Sequence, residues 1–131
     1  MDNQLMEKVA DLLAGTREYI EKNGWWRGGL IGPNKKQRCV LGAEYDTLGL
    51  YCGDMMPHEM LEANKLVVSY INGTKPHPNP KVYANLRPHR RARRVDTVDE
   101  WNDYFAIDKQ HVLDTLAKAE KIARAGYDPD A

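Results

Sequence analysis

Cys39 is the residue whose type and position come closest to nucleophilic chemistry. It stands where a helix is predicted to begin, and a helix N-terminus lowers the pKa of a thiol and favours the reactive thiolate. A histidine, together with Asn102 or Asp103, could complete a set of nucleophile, base and orienting group. A buried free cysteine more often serves as a small apolar residue of the core. The sequence therefore favours a protein without catalytic residues, and a Cys39-dependent enzyme is the alternative.

Carboxylates that could bind a cation or transfer protons are concentrated between residues 99 and 108. Helix capping accounts for part of this cluster. Thr97 and Glu100 have the spacing of a capping box, in which each side chain satisfies a backbone N–H near the other residue. Asp108 stands at the N-cap position before the last predicted helix. We therefore interpret these acids as structural.

Three consecutive residues of the same segment, Trp101, Asn102 and Asp103, are also predicted to be structural. Trp101 is expected to anchor the core, because a large aromatic side chain buries much apolar area. Asn102 and Asp103 are expected to order the turn before the last helix. Alternatively, Trp25, Trp26 or Trp101 lies in a homo-oligomer contact.

Neither a metal site nor a phosphate-binding loop is predicted. Structural zinc usually needs four nitrogen or sulfur ligands in closely spaced pairs. Cys52 and His58 form one loose pair, and no second pair accompanies it. The glycine-rich stretch from residue 28 to residue 36 lacks the spacing of a P-loop. We expect no metal and no cofactor.

Positive charge is concentrated in the middle of a chain whose net charge is zero. Residues 63 to 95 contain eight Lys or Arg and no Asp or Glu, whereas the flanking parts are both acidic. Such a stretch can bind phosphates or carboxylates. Alternatively, its arginines pair with the chain's own carboxylates. The residues expected to bind an acidic partner are Lys81, Arg87, Arg90, Arg91, Arg93 and Arg94.

The elements that position these residues are predicted to be mainly α-helical. Apolar residues at intervals of three and four predict a first helix over residues 3 to 22. A later helix, after Pro57, carries Asn64 within its apolar stripe, and a buried amide there would need hydrogen-bond partners. Four glycines and a proline predict an irregular or hairpin segment near residues 25 to 41.

The length of 131 residues suits one domain with a modest core. We predict a single compact helical domain over residues 1 to 131, with about four to six helices and a basic, Pro/Arg-rich insertion at about residues 72 to 95. The chain has no apolar run long enough for a membrane span, and its N-terminal residues do not have the pattern of a signal peptide. We expect a cytoplasmic protein without membrane partners.

Three short motifs are spread over the chain: Gly24-Trp25 followed by Gly28, Cys39-x-x-Gly42-Ala43, and Trp101-Asn102-Asp103. In this order they resemble a small family of unknown function found in actinobacteria, some other bacteria and their phages. The resemblance covers about residues 5 to 48 and 96 to 124 and implies no activity. It implies that a packing and capping framework is formed by Trp25, Cys39, Gly42, Trp101, Asn102 and Asp103. The basic middle departs from the family pattern.

Together these observations predict a non-enzymatic accessory protein that binds an acidic protein or nucleic acid through residues 75 to 94. The resemblance suggests a phage origin, in which case the protein would act on host machinery in the host cytoplasm. The alternatives are an enzyme that uses Cys39 and a structural subunit of a homo-oligomer.

Overall fold

The computed structural model describes residues 3–73 and 95–126. Within these ranges the chain forms five α-helices and no β-strand. The helices are α1 (Asn3–Asn23), α2 (Val40–Thr47), α3 (His58–Gly73), α4 (Val98–Tyr104) and α5 (Lys109–Arg124). The prediction of a mainly α single domain is confirmed. Most of the basic insertion predicted at about residues 72 to 95 lies outside the described residues.

The long first helix is the centre of the fold. α1 packs most extensively against α5 and also contacts α2 and α3. Its apolar stripe explains this position, since Val9, Leu13 and Ile20 are all fully buried and lie one above another at helical spacing. Burying each such side chain contributes about 1.5–3 kcal/mol. The buried Thr16 hydroxyl, within the same stripe, donates to the Leu12 carbonyl at 2.7 Å.

The crossing of α1 and α2 depends on a small residue. A Cβ atom added at Gly15 would lie 2.4 Å from Cγ2 of Thr47, at the last turn of α2. The absence of a side chain at Gly15 therefore allows the two helices to approach closely.

The segment between α1 and α2 is an irregular loop and does not form a regular hairpin. Arg38 forms isolated β-bridges with both Trp25 and Ile31. The Asn34 side chain accepts from the backbone N–H groups of Lys36 and Gln37, which closes a tight turn. This local bonding competes with strand pairing and explains why the glycine-rich stretch remains irregular.

None of the helices in the described ranges combines the length and apolar character needed to cross a membrane.

Candidate functional site

Cys39 is the N-cap residue of α2, and its side chain lies in the core. Its Sγ accepts the backbone N–H of Gly42 at 3.4 Å, and only 4% of the residue is exposed. Burial raises the pKa of Cys39 to about 11, which outweighs the opposite effect of the Gly42 and Leu41 N–H groups. The thiol therefore keeps its proton at neutral pH, and its described contact is that of a helix cap.

The histidines within the described residues have other contacts. His58 faces Glu62 one turn along α3, at 3.5 Å. His111 accepts the Ile107 N–H at Nδ1, and its ring packs edge-on against Trp101. His111 therefore has a packing role, whereas the His58 side chain is 70% exposed on α3. The other two histidines, His77 and His89, lie outside the described residues.

Asn102 is a buried amide whose hydrogen-bonding capacity is fully used. Its Oδ1 accepts the indole N–H of Trp25 at 2.7 Å and the backbone N–H of Val40 at 3.1 Å. Its Nδ2 donates to the Trp26 carbonyl and to Asp103 Oδ1, both at 3.0 Å. Asn102 thereby joins α4 to the irregular loop and satisfies an N–H of the first turn of α2. We call Trp25, Val40, Asn102 and Asp103 the Asn102 cluster.

The irregular loop has two further attachments to this end of the molecule. Asp103 Oδ1 accepts the backbone N–H of Gly28 at 2.9 Å. The Arg27 guanidinium donates to the Ala106 carbonyl and lies 5.1 Å from the centre of the Trp25 ring. These contacts hold the loop against α4 and the residues that precede α5.

The close contact between the irregular loop and α2 also requires a glycine at position 42. A Cβ atom at this position would lie 2.3 Å from the carbonyl oxygen of Leu30, which belongs to the irregular loop. The backbone of the loop therefore passes directly over the first turn of α2. The structure brings the three sequence motifs together, and their described contacts are those of packing and capping.

The acidic residues near α4 and α5 act mainly on helix ends. Thr97 is the N-cap of α4, and its hydroxyl accepts the Glu100 N–H at 3.3 Å. Glu100 in turn accepts the N–H of Asp96, one residue earlier than the capping-box pattern. Asp108 is the N-cap of α5 and accepts the His111 N–H at 2.8 Å. No group of three potential metal ligands occurs within the described residues.

Trp101 is almost completely buried, with 2% of its surface exposed. A side chain in this position packs within one chain and cannot form the centre of a contact between copies. Trp25 is half-buried and uses its indole N–H for Asn102. Among the described residues, the most exposed large apolar side chains are Tyr51 at 85% and Met55 at 92%.

The predicted binding residues Lys81, Arg87, Arg90, Arg91, Arg93 and Arg94 lie outside the described residues. The two ends of the stretch that carries them are described. Asn72 Nδ2 donates to the Val95 carbonyl, and the Val95 N–H donates to Asn72 Oδ1, both at 3.0 Å. Val95 is 4% exposed and belongs to the core. The end of α3 and the chain just before α4 are therefore joined directly.

A cleft of about 290 Å³ lies between α3 and the start of α4. Asn64, the amide predicted to be buried, lines this cleft, and its Oδ1 is buried without a hydrogen-bond partner. Behind it lies Glu44 of α2, which is completely buried and has no partner for either oxygen. Burial raises the pKa of Glu44 well above its ordinary value, although Asn64 acts in the opposite direction.

Sequence reasoning did not identify Glu44, although a signal was present. Glu44 lies four residues after Val40, which is buried, and therefore shares its helix face. A carboxylate on the core face of a short helix is rare unless it is paired or protonated.

The chain belongs to a family of unknown function, DUF6197, which matches residues 5–122. The matched range includes all three motifs and extends across the basic middle. No curated protein and no solved structure matches the chain.

Proposed function

We propose that this protein is a non-enzymatic accessory protein that binds an acidic partner, nucleic acid or protein, through residues 75 to 94. The observation that carries the proposal is the pairing of Asn72 with Val95. It fixes both ends of the basic stretch at one point on the helical body. The α3–α4 junction is therefore closed by residues on either side of the stretch.

The charge distribution supports an acidic partner. Residues 63 to 95 hold eight Lys or Arg and no carboxylate. Several carboxylates of the helical body already bind other groups of that body. This supports the availability of the basic stretch to an outside partner. Asp46 accepts from Arg38 at 2.6 Å, and Glu120 accepts from both Arg17 and Arg124. Asp103 and Asp108 hold backbone N–H groups.

Nucleic acid is the first partner to test, because Tyr83 and His89 lie among the cations and such rings stack on unpaired bases. The resemblance to phage and actinobacterial proteins supports a cytoplasmic setting. For a phage protein, the partner would be a host component.

The test is a mobility-shift titration of the full chain with single- and double-stranded probes at several salt concentrations. We expect binding that weakens steeply with salt, because each phosphate neutralised contributes a slope of about −0.9 in a log–log plot with duplex DNA. One variant replaces Arg87, Arg90, Arg91 and Arg93 with Gln. The matched control replaces four exposed lysines of the helical body, Lys8, Lys22, Lys118 and Lys121, with Gln.

Both variants remove the same total charge. The first should lose most of the affinity and reduce the salt slope, whereas the control should retain both. Equal losses in the two variants would contradict binding through the basic stretch. If no probe shifts at low salt while an acidic protein is retained by the wild type and not by the first variant, the partner is a protein.

A second candidate function, a structural homo-oligomer subunit, is supported by the exposure of Tyr51 and Met55. Light scattering tests it. A stable oligomer that dissociates in the Met55→Lys variant would support it, and a monomer at all micromolar concentrations would contradict it.

A further inference from the structure

We propose that the cleft between α3 and the start of α4 is a binding site for a small uncharged molecule that has an apolar body and a hydrogen-bond acceptor such as an amide carbonyl. In this site Asn64 donates to the acceptor, and buried Glu44 sets the orientation of the Asn64 amide. The proposal is independent of the basic stretch and of its partner.

The walls and rim of the cleft define the class of ligand. Five apolar side chains form the walls, and a volume of about 290 Å³ accommodates a small organic molecule. The rim carries both signs of charge, with Lys65 on α3 and Asp96 and Asp99 at the start of α4. Lys65 lies 3.9 Å from Glu62 on the same helix, so its charge is already partnered. An uncharged ligand fits best because the walls are apolar and an ion entering them would lose its hydration. The apolar wall residues are Leu41, Met56, Leu61, Val68 and Val98.

The orientation of Asn64 follows from the two atoms behind it. Asn64 Oδ1 is buried without a hydrogen-bond partner, and so are both carboxyl oxygens of Glu44. Oxygens that only accept cannot satisfy one another, but a protonated carboxyl can donate to an amide oxygen. Because Glu44 is completely buried, its neutral form is favoured. The proton of Glu44 therefore satisfies Asn64 Oδ1 and leaves Asn64 Nδ2 as the donor for the cleft.

Ionisation of Glu44 would reverse this arrangement. A carboxylate accepts hydrogen bonds, so the Asn64 amide would turn its Nδ2 towards Glu44 and present its oxygen to the cleft. The other titratable groups coupled to Glu44 are Cys39 and Tyr45, whose pKa values its charge raises. Burial, the larger influence, raises the pKa of Glu44 and favours the protonated form in which Asn64 accepts. A hydrogen bond from the Asn64 N–H lowers that pKa and belongs to the ionised form. The site is therefore a donor while Glu44 is protonated and an acceptor after it ionises.

The experiment uses the ¹⁵N-labelled full chain and acetanilide, a neutral aromatic amide, with benzoate and benzylammonium as charged probes. We expect acetanilide to shift the side-chain amide signal of Asn64 in a saturable manner. Both charged probes should bind at least about tenfold more weakly, because a charged group loses its hydration against the apolar walls. Equal or tighter binding of either charged probe, or no response of Asn64 to acetanilide, would overturn the proposal.

Variants separate the site from the fold. Asn64→Leu should weaken acetanilide binding about tenfold, as expected for the loss of one buried hydrogen bond. Its matched control is Asn23→Leu, at the end of α1. Leu61→Phe narrows the cleft from a half-exposed position that leaves the core unchanged, and it should also weaken binding. Unchanged affinity in folded Asn64→Leu or Leu61→Phe would refute the assignment.

The role of Glu44 has its own readout. In the wild type, acetanilide binding should weaken as the pH rises through the pKa of Glu44. In Glu44→Gln, whose side-chain amide can donate to Asn64 Oδ1 at every pH, binding should persist without this dependence. The same pH profile in both proteins would show that Glu44 does not orient Asn64.

Discussion

The indole N–H of Trp25 donates to Asn102 Oδ1 at 2.7 Å, across 77 residues of sequence. This bond closes the irregular loop onto α4, and the same oxygen accepts the Val40 N–H at the start of α2. One amide therefore joins the irregular loop, α2 and α4. Its importance for stability can be measured.

Asn102→Ala should lower the free energy of unfolding by about 2–4 kcal/mol, because it leaves buried groups of Trp25 and Val40 without a partner. Urea denaturation monitored by tryptophan fluorescence and circular dichroism checks this. The control is Asn23→Ala, whose amide bonds the Tyr19 carbonyl near the end of α1, and it should cost much less. Similar losses in both variants would contradict the role given to Asn102.

Gly42→Ala should destabilise the protein by about 1–3 kcal/mol, because the new Cβ would lie 2.3 Å from the Leu30 carbonyl oxygen. That atom belongs to the backbone, so the loop itself must move. The control is Gly29→Ala, where the nearest atom would be Trp26 Nε1 at 3.9 Å. The two variants are compared by thermal unfolding, and an equal Tm would argue against close packing at Gly42.

Cys39 should react slowly with iodoacetamide at neutral pH and faster as the pH approaches its pKa of about 11. Mass spectrometry of a Cys52→Ser variant gives the rate at Cys39 alone, and the same protein in guanidinium chloride supplies the unfolded reference. We expect a native rate at least about a hundredfold lower, since reaction needs both exposure and a thiolate. Fast alkylation of the folded protein would restore the hypothesis of a Cys39-dependent enzyme.

Glu44 should make the protein less stable as the pH rises. Its folded pKa is raised, so the folded state keeps a proton that the unfolded state has lost. The contribution is fully present below the unfolded pKa, near 4.5, and is lost as the pH rises through the folded pKa. Over that interval the free energy of unfolding falls by about 1.4 kcal/mol per pH unit.

The measurement is a series of urea titrations at different pH values on the wild type, Glu44→Gln and Glu18→Gln. The fall in the free energy of unfolding with rising pH should disappear in Glu44→Gln. It should persist in Glu18→Gln, which changes an exposed residue of α1. Its persistence in Glu44→Gln would show that another group is responsible.

Helical spacing and capping residues were sufficient to predict the helices. The stripe that includes Val9, Leu13 and Ile20 specifies one face of α1, and Thr97 and Asp108 stand at the N-caps of α4 and α5. These signals are local, because each depends on residues within one or two turns. They therefore remain readable without knowledge of the tertiary structure.

The candidate sites depended on contacts that sequence spacing does not encode. The position of Cys39 at a helix start suggested a lowered pKa, but burial acts more strongly and raises it. Asn64 was recognisable within an apolar stripe, whereas its carboxyl neighbour Glu44 comes from another helix. For residues 25 to 41 the sequence left an irregular segment and a hairpin as alternatives. The segment is irregular because Asn34 and the Asn102 cluster bind the loop backbone.

The pairing of Asn72 with Val95 also bears on how this protein can diversify. Because the two anchor points are fastened to each other, the chain between them is a closed excursion whatever its length. Each doubling of such an excursion costs about 0.6 kcal/mol in closure entropy. We therefore expect this junction to tolerate a stretch of different length and chemistry between Asn72 and Val95. An engineer could use the same junction to graft a foreign recognition peptide.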